Sequence, residues 1–102
     1  MAKVMRRYMV KVKLPSELND DFLHLIPAQR KRVNQMMREG DILNYSLSMD
    51  RSQLWIVMQG ETENKIMDGL ATFPLIRYMS VEVVELMFHE SPLLTLQPIS
   101  LN

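Results

Sequence analysis

The stretch Ile42-Leu-Asn-Tyr-Ser-Leu-Ser-Met-Asp-Arg-Ser-Gln-Leu-Trp-Ile-Val-Met-Gln-Gly60 decides the fold. In its first half Leu43, Tyr45, Leu47 and Met49 alternate with Asn44, Ser46 and Ser48. Period two is the signature of a strand, here Ile42 to Met49. In its second half, Leu54 to Gln59, Leu54, Ile56 and Met58 alternate with Trp55 and Val57, so both rows are apolar. Asp50-Arg51-Ser52-Gln53 lies between the two runs, and a hairpin with a loop of about four residues is the simplest connection.

Working outward, each side of the hairpin carries a strand and a helix. Upstream, Tyr8, Val10, Val12 and Leu14 alternate with Met9, Lys11 and Lys13 until Pro15 stops the strand. A helix is predicted from about Asp20 to Glu39, with Gly40 as its C-terminal stop. Phe22, Leu25, Ile26, Val33, Met36 and Met37 fall on one stripe of it. Pro27 cannot donate to the carbonyl of Leu23, so a kink or a restart is expected there. Gln29 lies near the middle of the stripe if the helical phase survives the proline. Downstream, Gly60 ends the strand and Thr62 caps a second helix to about Thr72, with Ile66, Met67, Leu70 and Phe73 on its buried side. Pro74 closes the next loop, and a last strand is predicted from Arg77 or Tyr78 to about Phe88. The order βαββαβ gives an α+β, ferredoxin-like domain with a four-stranded antiparallel sheet and both helices on one face.

The uncovered face raises a problem. In the last strand Met79, Val81, Val83 and Met87 stand against Val84, Leu86 and Phe88, so it resembles the third strand in lacking the polar row that a half-solvated sheet has. The tail, residues 91–102, carries Leu93, Leu94, Leu96, Ile99 and Leu101, and it is expected either to fold back or to reach a neighbour. Twelve residues cannot cover a sheet, so a second copy of the chain is the expected cover. The domain itself is taken as residues 1–90.

Composition excludes several classes. Twelve lysines and arginines balance twelve aspartates and glutamates, and the absent net positive charge argues against nucleic acid. Arg30-Lys31-Arg32 reads as a solvated helix face. With no cysteine there is no disulfide, thiolate site or cysteine nucleophile, which fits a cytoplasmic protein. No apolar run is long enough for a membrane span, and the basic N-terminus runs into a strand pattern, unlike a signal peptide. Histidines at 24 and 89 make a poor metal set, and no glycine-rich phosphate loop is present. Neither a metal nor a cofactor is expected. The ten methionines, spread over every element, suit core filling or an adaptable apolar pocket.

The segment Phe73-Pro-Leu-Ile-Arg-Tyr-Met-Ser-Val-Glu-Val-Val-Glu-Leu86 resembles the signature of the muconolactone isomerase family. Pro74 and Leu75 match its proline-leucine loop, Tyr78 and Met79 its Tyr-Met pair, and Glu82 between Val81 and Val83 its last-strand acid. The similarity extends back to the Leu14-Pro15 end of the first strand. It implies a dimeric α+β barrel, two sheets face to face, often within larger rings. It also implies cofactor-independent isomerisation of small acidic lactones in a cleft between sheet and helices, which a neighbour's C-terminal segment helps to close. Relatives of the same barrel include metal-free monooxygenases and decarboxylases. The sequence departs from the pattern along strand two, where Leu43, Asn44, Tyr45, Ser46 and Leu47 replace aromatic, basic and imidazole residues. It departs again at Lys11, Lys13 and Ser80. The resemblance therefore carries the fold and reaction class further than the particular lactone.

Proton transfer at a carbon acid needs a base, and a donor or cation for the enolate. Glu82 is the expected base and Tyr78 its companion as a catalytic residue. Against this, Glu82 and Lys11 suit a cross-strand ion pair. Gln29, Lys11, Tyr45, Trp55 and Arg77 are the expected binding residues. The amide of Gln29 would hold a ligand carbonyl or satisfy the backbone near Pro27, and Arg77 would greet a carboxylate. His24 points away from the buried stripe, and His89 sits beside a loop. The reading is a cofactor-independent isomerase or lyase acting on a small carboxylated metabolite or lactone. The alternatives are a non-catalytic oligomeric small-molecule-binding protein, or a cofactor-free monooxygenase with its substrate stacked on Trp55.

Overall fold

The computed structural model describes residues 4–90. The expected tail, residues 91–102, lies outside the described residues. The elements are β1 (Arg6–Lys13), α1 (Asp20–Arg38), β2 (Ile42–Leu47), β3 (Gln53–Gly60), α2 (Glu63–Leu70) and β4 (Ser80–Leu86). The four strands make one sheet in the order β2-β3-β1-β4, and every neighbouring pair is antiparallel. This is the ferredoxin-like arrangement that the strand and helix order predicts.

The sheet's two faces follow from the alternation in β1. Tyr8, Val10 and Val12 are buried, while Met9 is half-buried and Lys11 and Lys13 are exposed. Registry carries that division across the sheet. Tyr45, Ile56, Val10 and Val83 form one row on the helix-covered face, and Ser46, Trp55, Lys11 and Glu82 form one on the open face. The core lies between the covered face and the helices, where Val33, Met36, Ile66, Leu70 and Phe73 pack on the strands. Burying one such side chain contributes about 1.5–3 kcal/mol.

Several local features differ from the alternation. A bulge falls between Ile42 and Asn44, so Ile42 faces Met58 and Asn44 faces Val57. The extra residue turns Ile42 into the core, at 2% exposure, and leaves Leu43 only half-buried. Met37 is exposed, and Leu25 and Ile26 are half-buried, so the buried stripe of α1 is Phe22, Gln29, Val33 and Met36. The helix runs through Pro27 without a restart. Leu23, whose carbonyl the proline cannot serve, is 46% exposed, and solvent has access to that turn.

The last strand begins later than predicted. Ile76–Tyr78 form a 3-10 turn, in which the Tyr78 N–H donates to the Leu75 carbonyl at 2.9 Å and the Met79 N–H to that of Ile76 at 3.0 Å. Arg77 and Tyr78 therefore sit on a turn and not on a strand. The strand also ends at Leu86, which leaves Met87 and Phe88 exposed at 97% and 70%.

Candidate functional site

The site is a cleft of about 380 Å³ between α1 and the β2–β3 end of the sheet. Ligand pockets commonly start near 300 Å³, so a small metabolite fits. Asn19 sets one wall: its Oδ1 accepts from the Phe22 N–H at 2.8 Å and caps α1. Phe22 then turns inward at 5% exposure, beside Leu54 and Leu75. Leu14, Leu18, Leu23, Ile26, Leu47 and Met79 complete the apolar lining. Four polar side chains interrupt it: Gln29, Arg30, Tyr45 and Arg51.

Gln29 is 4% exposed and is the buried polar residue of the described core. Its Oε1 accepts from the Leu75 N–H at 3.1 Å, joining α1 to the loop before the 3-10 turn. Its Nε2 is buried and has no hydrogen-bond partner among the described residues. Burial pushes the phenol of half-buried Tyr45 above its ordinary value of 10.0, and the neighbouring Gln29 amide opposes part of that rise. The two side chains line the same cleft without a hydrogen bond between them. At neutral pH Tyr45 keeps its proton.

Arg51 reaches the cleft from the β2–β3 turn in a left-handed conformation, with φ of 63°. Asp50 organises that turn. Its Oδ1 accepts from the Ser48 and Ser52 hydroxyls at 2.7 Å each and from the Ser52 N–H at 3.0 Å. These donors, the Ser52 hydroxyl foremost, hold the carboxyl at about 2.

Of the expected residues, Gln29 and Tyr45 meet in the cleft. Tyr78 stands behind its wall, with its ring edge-to-face on Phe22 at 5.3 Å between centroids. Arg77 is exposed; it donates to the Tyr78 hydroxyl at 2.7 Å and its guanidinium lies 4.9 Å from that ring's centroid. Glu82, Lys11 and Trp55 share one row of the open face, so the sheet separates them from the cleft within one chain. His24 is exposed. Arg30 and Arg51 also line the cleft, although the charge pattern of Arg30-Lys31-Arg32 suggests a solvated face and nothing in the sequence marks Arg51. The only signal for Arg30 is its place one residue beyond Gln29. No carboxylate or imidazole lines the cleft among the described residues. Among them, too, no cluster of three histidines or carboxylates could hold a metal ion, and no helix is long and apolar enough to cross a membrane.

Fold and cleft together define a ferredoxin-like α+β domain with a ligand-sized hollow under its first helix. The chain belongs to the muconolactone delta-isomerase family, whose model matches residues 7–92. A crystal structure of muconolactone isomerase superposes with a TM-score of 0.68 at 24% identity, over 83% of this chain and 92% of that one. A putative antibiotic biosynthesis monooxygenase from Nitrosomonas europaea aligns at 12% identity with a TM-score of 0.49, over 89% of this chain and 98% of that one. No curated protein matches the chain.

Proposed function

We propose that the chain is a muconolactone isomerase-like, cofactor-independent isomerase or lyase that moves a proton on a small carboxylated metabolite or lactone. The observation that carries this reading is the cleft's composition: an apolar hollow with a buried amide and a protonated phenol inside, and two arginines around them. An apolar ring fits the hollow, and a guanidinium suits a carboxylate. Tyr45 then donates to the oxygen on which enolate charge develops, and, with no carboxylate or imidazole in the described lining, a water admitted to the cleft takes the proton from one carbon and returns it to the other. In this proposal Tyr78 braces the Phe22 wall, with Arg77 laid against it. Glu82 and Lys11, opposite one another in register, belong to the open face.

That open face is where the same proposal seats a second copy. Val57 is buried there, and Met9, Trp55 and Val84 extend an apolar strip around it. A cytoplasmic location belongs to the proposal as well.

A second reading is favoured by one observation, the lack of a carboxylate or imidazole in the described lining: a non-catalytic small-molecule-binding protein. Stacking on Trp55, which a monooxygenase would use, is not offered by the cleft, since Trp55 faces the other way. The test is a panel of small lactones and aromatic acids, scored by melting temperature and by proton exchange into solvent deuterium. The enzyme reading expects stabilisation and deuterium at the carbon beside the carbonyl. Stabilisation without exchange selects the binder, and no stabilisation by any member removes both.

A further inference from the structure

We propose that Gln29 is a positioning residue that makes Tyr45 the hydrogen-bond donor of the cleft. Its carboxamide, oriented by the Leu75 N–H, presents Nε2 to the phenol oxygen and leaves the phenol proton for a ligand oxygen. This deepens the proposed function by assigning polarity to the same cleft, and its first readout needs no ligand.

An amide side chain has an accepting and a donating end, which a half-turn exchanges. In Gln29 that choice is fixed by Leu75. The backbone N–H donates to Oε1 at 3.1 Å, and a flipped amide would set N–H against N–H. Nε2 must then face the other way, where it is buried and without a partner. A buried donor left unpaired is unfavourable, so an acceptor that can move to meet it will do so. Tyr45 lines the same cleft from β2, is half-buried, and is influenced by this amide in its ionisation. A phenol oxygen accepts one hydrogen bond and still donates its own. The sequence Leu75 N–H to Gln29, Gln29 N–H to Tyr45, and Tyr45 O–H to ligand thus carries one direction of polarity from backbone to cleft. The ligand group that ends it is an acceptor, such as the carbonyl oxygen of a lactone or ketone.

The experiment incorporates 3-fluorotyrosine, so that the phenols titrate in an accessible range, and follows each by fluorine NMR, with Tyr45→Phe assigning the signal. Gln29→Leu removes the donor. Gln29→Glu keeps the size but offers the phenol only an acceptor, and an anionic one. The expected result is a higher titration midpoint for residue 45 in both variants, with Tyr8 and Tyr78 unmoved. A small lactone bearing a carboxylate should also bind Gln29→Glu about tenfold more weakly than wild type. An unchanged midpoint at residue 45 in a folded variant overturns the proposal, and so does unchanged probe affinity. Should Gln29→Leu fail to fold, Gln29→Glu gives the answer alone. A shifted midpoint with no probe binding even to wild type supports the positioning role and counts instead against the function proposed for the cleft.

Discussion

The Leu75 N–H and the Gln29 side chain meet at 3.1 Å although 46 positions separate them in sequence. That one bond fixes the loop after α2 to the middle of α1, and it sets the wall of the cleft. Removing the acceptor leaves a buried N–H unsatisfied. Gln29→Leu should therefore lower the unfolding free energy by about 1–3 kcal/mol, measured by urea denaturation at neutral pH. A variant as stable as wild type would mean the bond contributes nothing.

Arg51 couples cleft and turn with opposite signs. Its left-handed backbone suits glycine better than arginine, while its side chain lines the cleft. Arg51→Gly should keep the melting temperature or raise it, for a gain of up to about 1 kcal/mol. The same change should weaken binding of carboxylated ligands, read by calorimetry.

Asp50 gives the turn a pH dependence. Its folded carboxyl titrates at about 2, below its ordinary value of 3.8. A depressed acid stabilises the fold above its unfolded value, and the contribution is lost as pH falls through the folded one. The stability advantage of wild type over Asp50→Asn should be full at pH 5 and fade between about pH 4 and pH 2. An advantage constant through acid titration would show that charge is irrelevant there.

Lys11 and Glu82 face each other across β1 and β4 on the open face. Lys11→Glu should weaken self-association in sedimentation, and the exchange Lys11→Glu with Glu82→Lys should restore it. Ligand binding in the cleft should hardly change in either, because the sheet lies between.

Gly40 ends α1 at φ +85°, with its carbonyl held by the Gln59 amide at 2.7 Å. Gly40→Ala should destabilise by about 1 kcal/mol through backbone strain, since a Cβ there would meet only Gln59 Nε2 at an ordinary 3.7 Å. Thermal unfolding checks it.

The fold is legible because β1 alternates cleanly, Gly60 ends the short apolar run of β3, and Gly40 and Thr62 mark helix ends. Gln29 was legible too, since a polar residue within an apolar helical stripe stands out by phase alone. Ile42 enters the core through a bulge, which adds a residue without leaving a compositional mark. Tyr78 was put on a strand because the residues after Pro74 look extended, although their carbonyls close a 3-10 turn. Arg30 and Arg51 escaped because periodicity fixes where a Cα lies, not where a long flexible side chain reaches. Glu82 shows the complementary limit: its type suggested a base, and only the strand pairing shows which side of the sheet it occupies.

The sheet's parity has a practical meaning. Along β1, residues 8, 10 and 12 belong to the helix-side interior, and residues 9, 11 and 13 to the surface turned outward. A saturation scan of that strand should read like a comb, with unfolding at every second position and altered quaternary behaviour at those between. Two selective pressures can then act on one short segment with little interference, and the contact proposed for a second copy can drift while the cleft stays as it is.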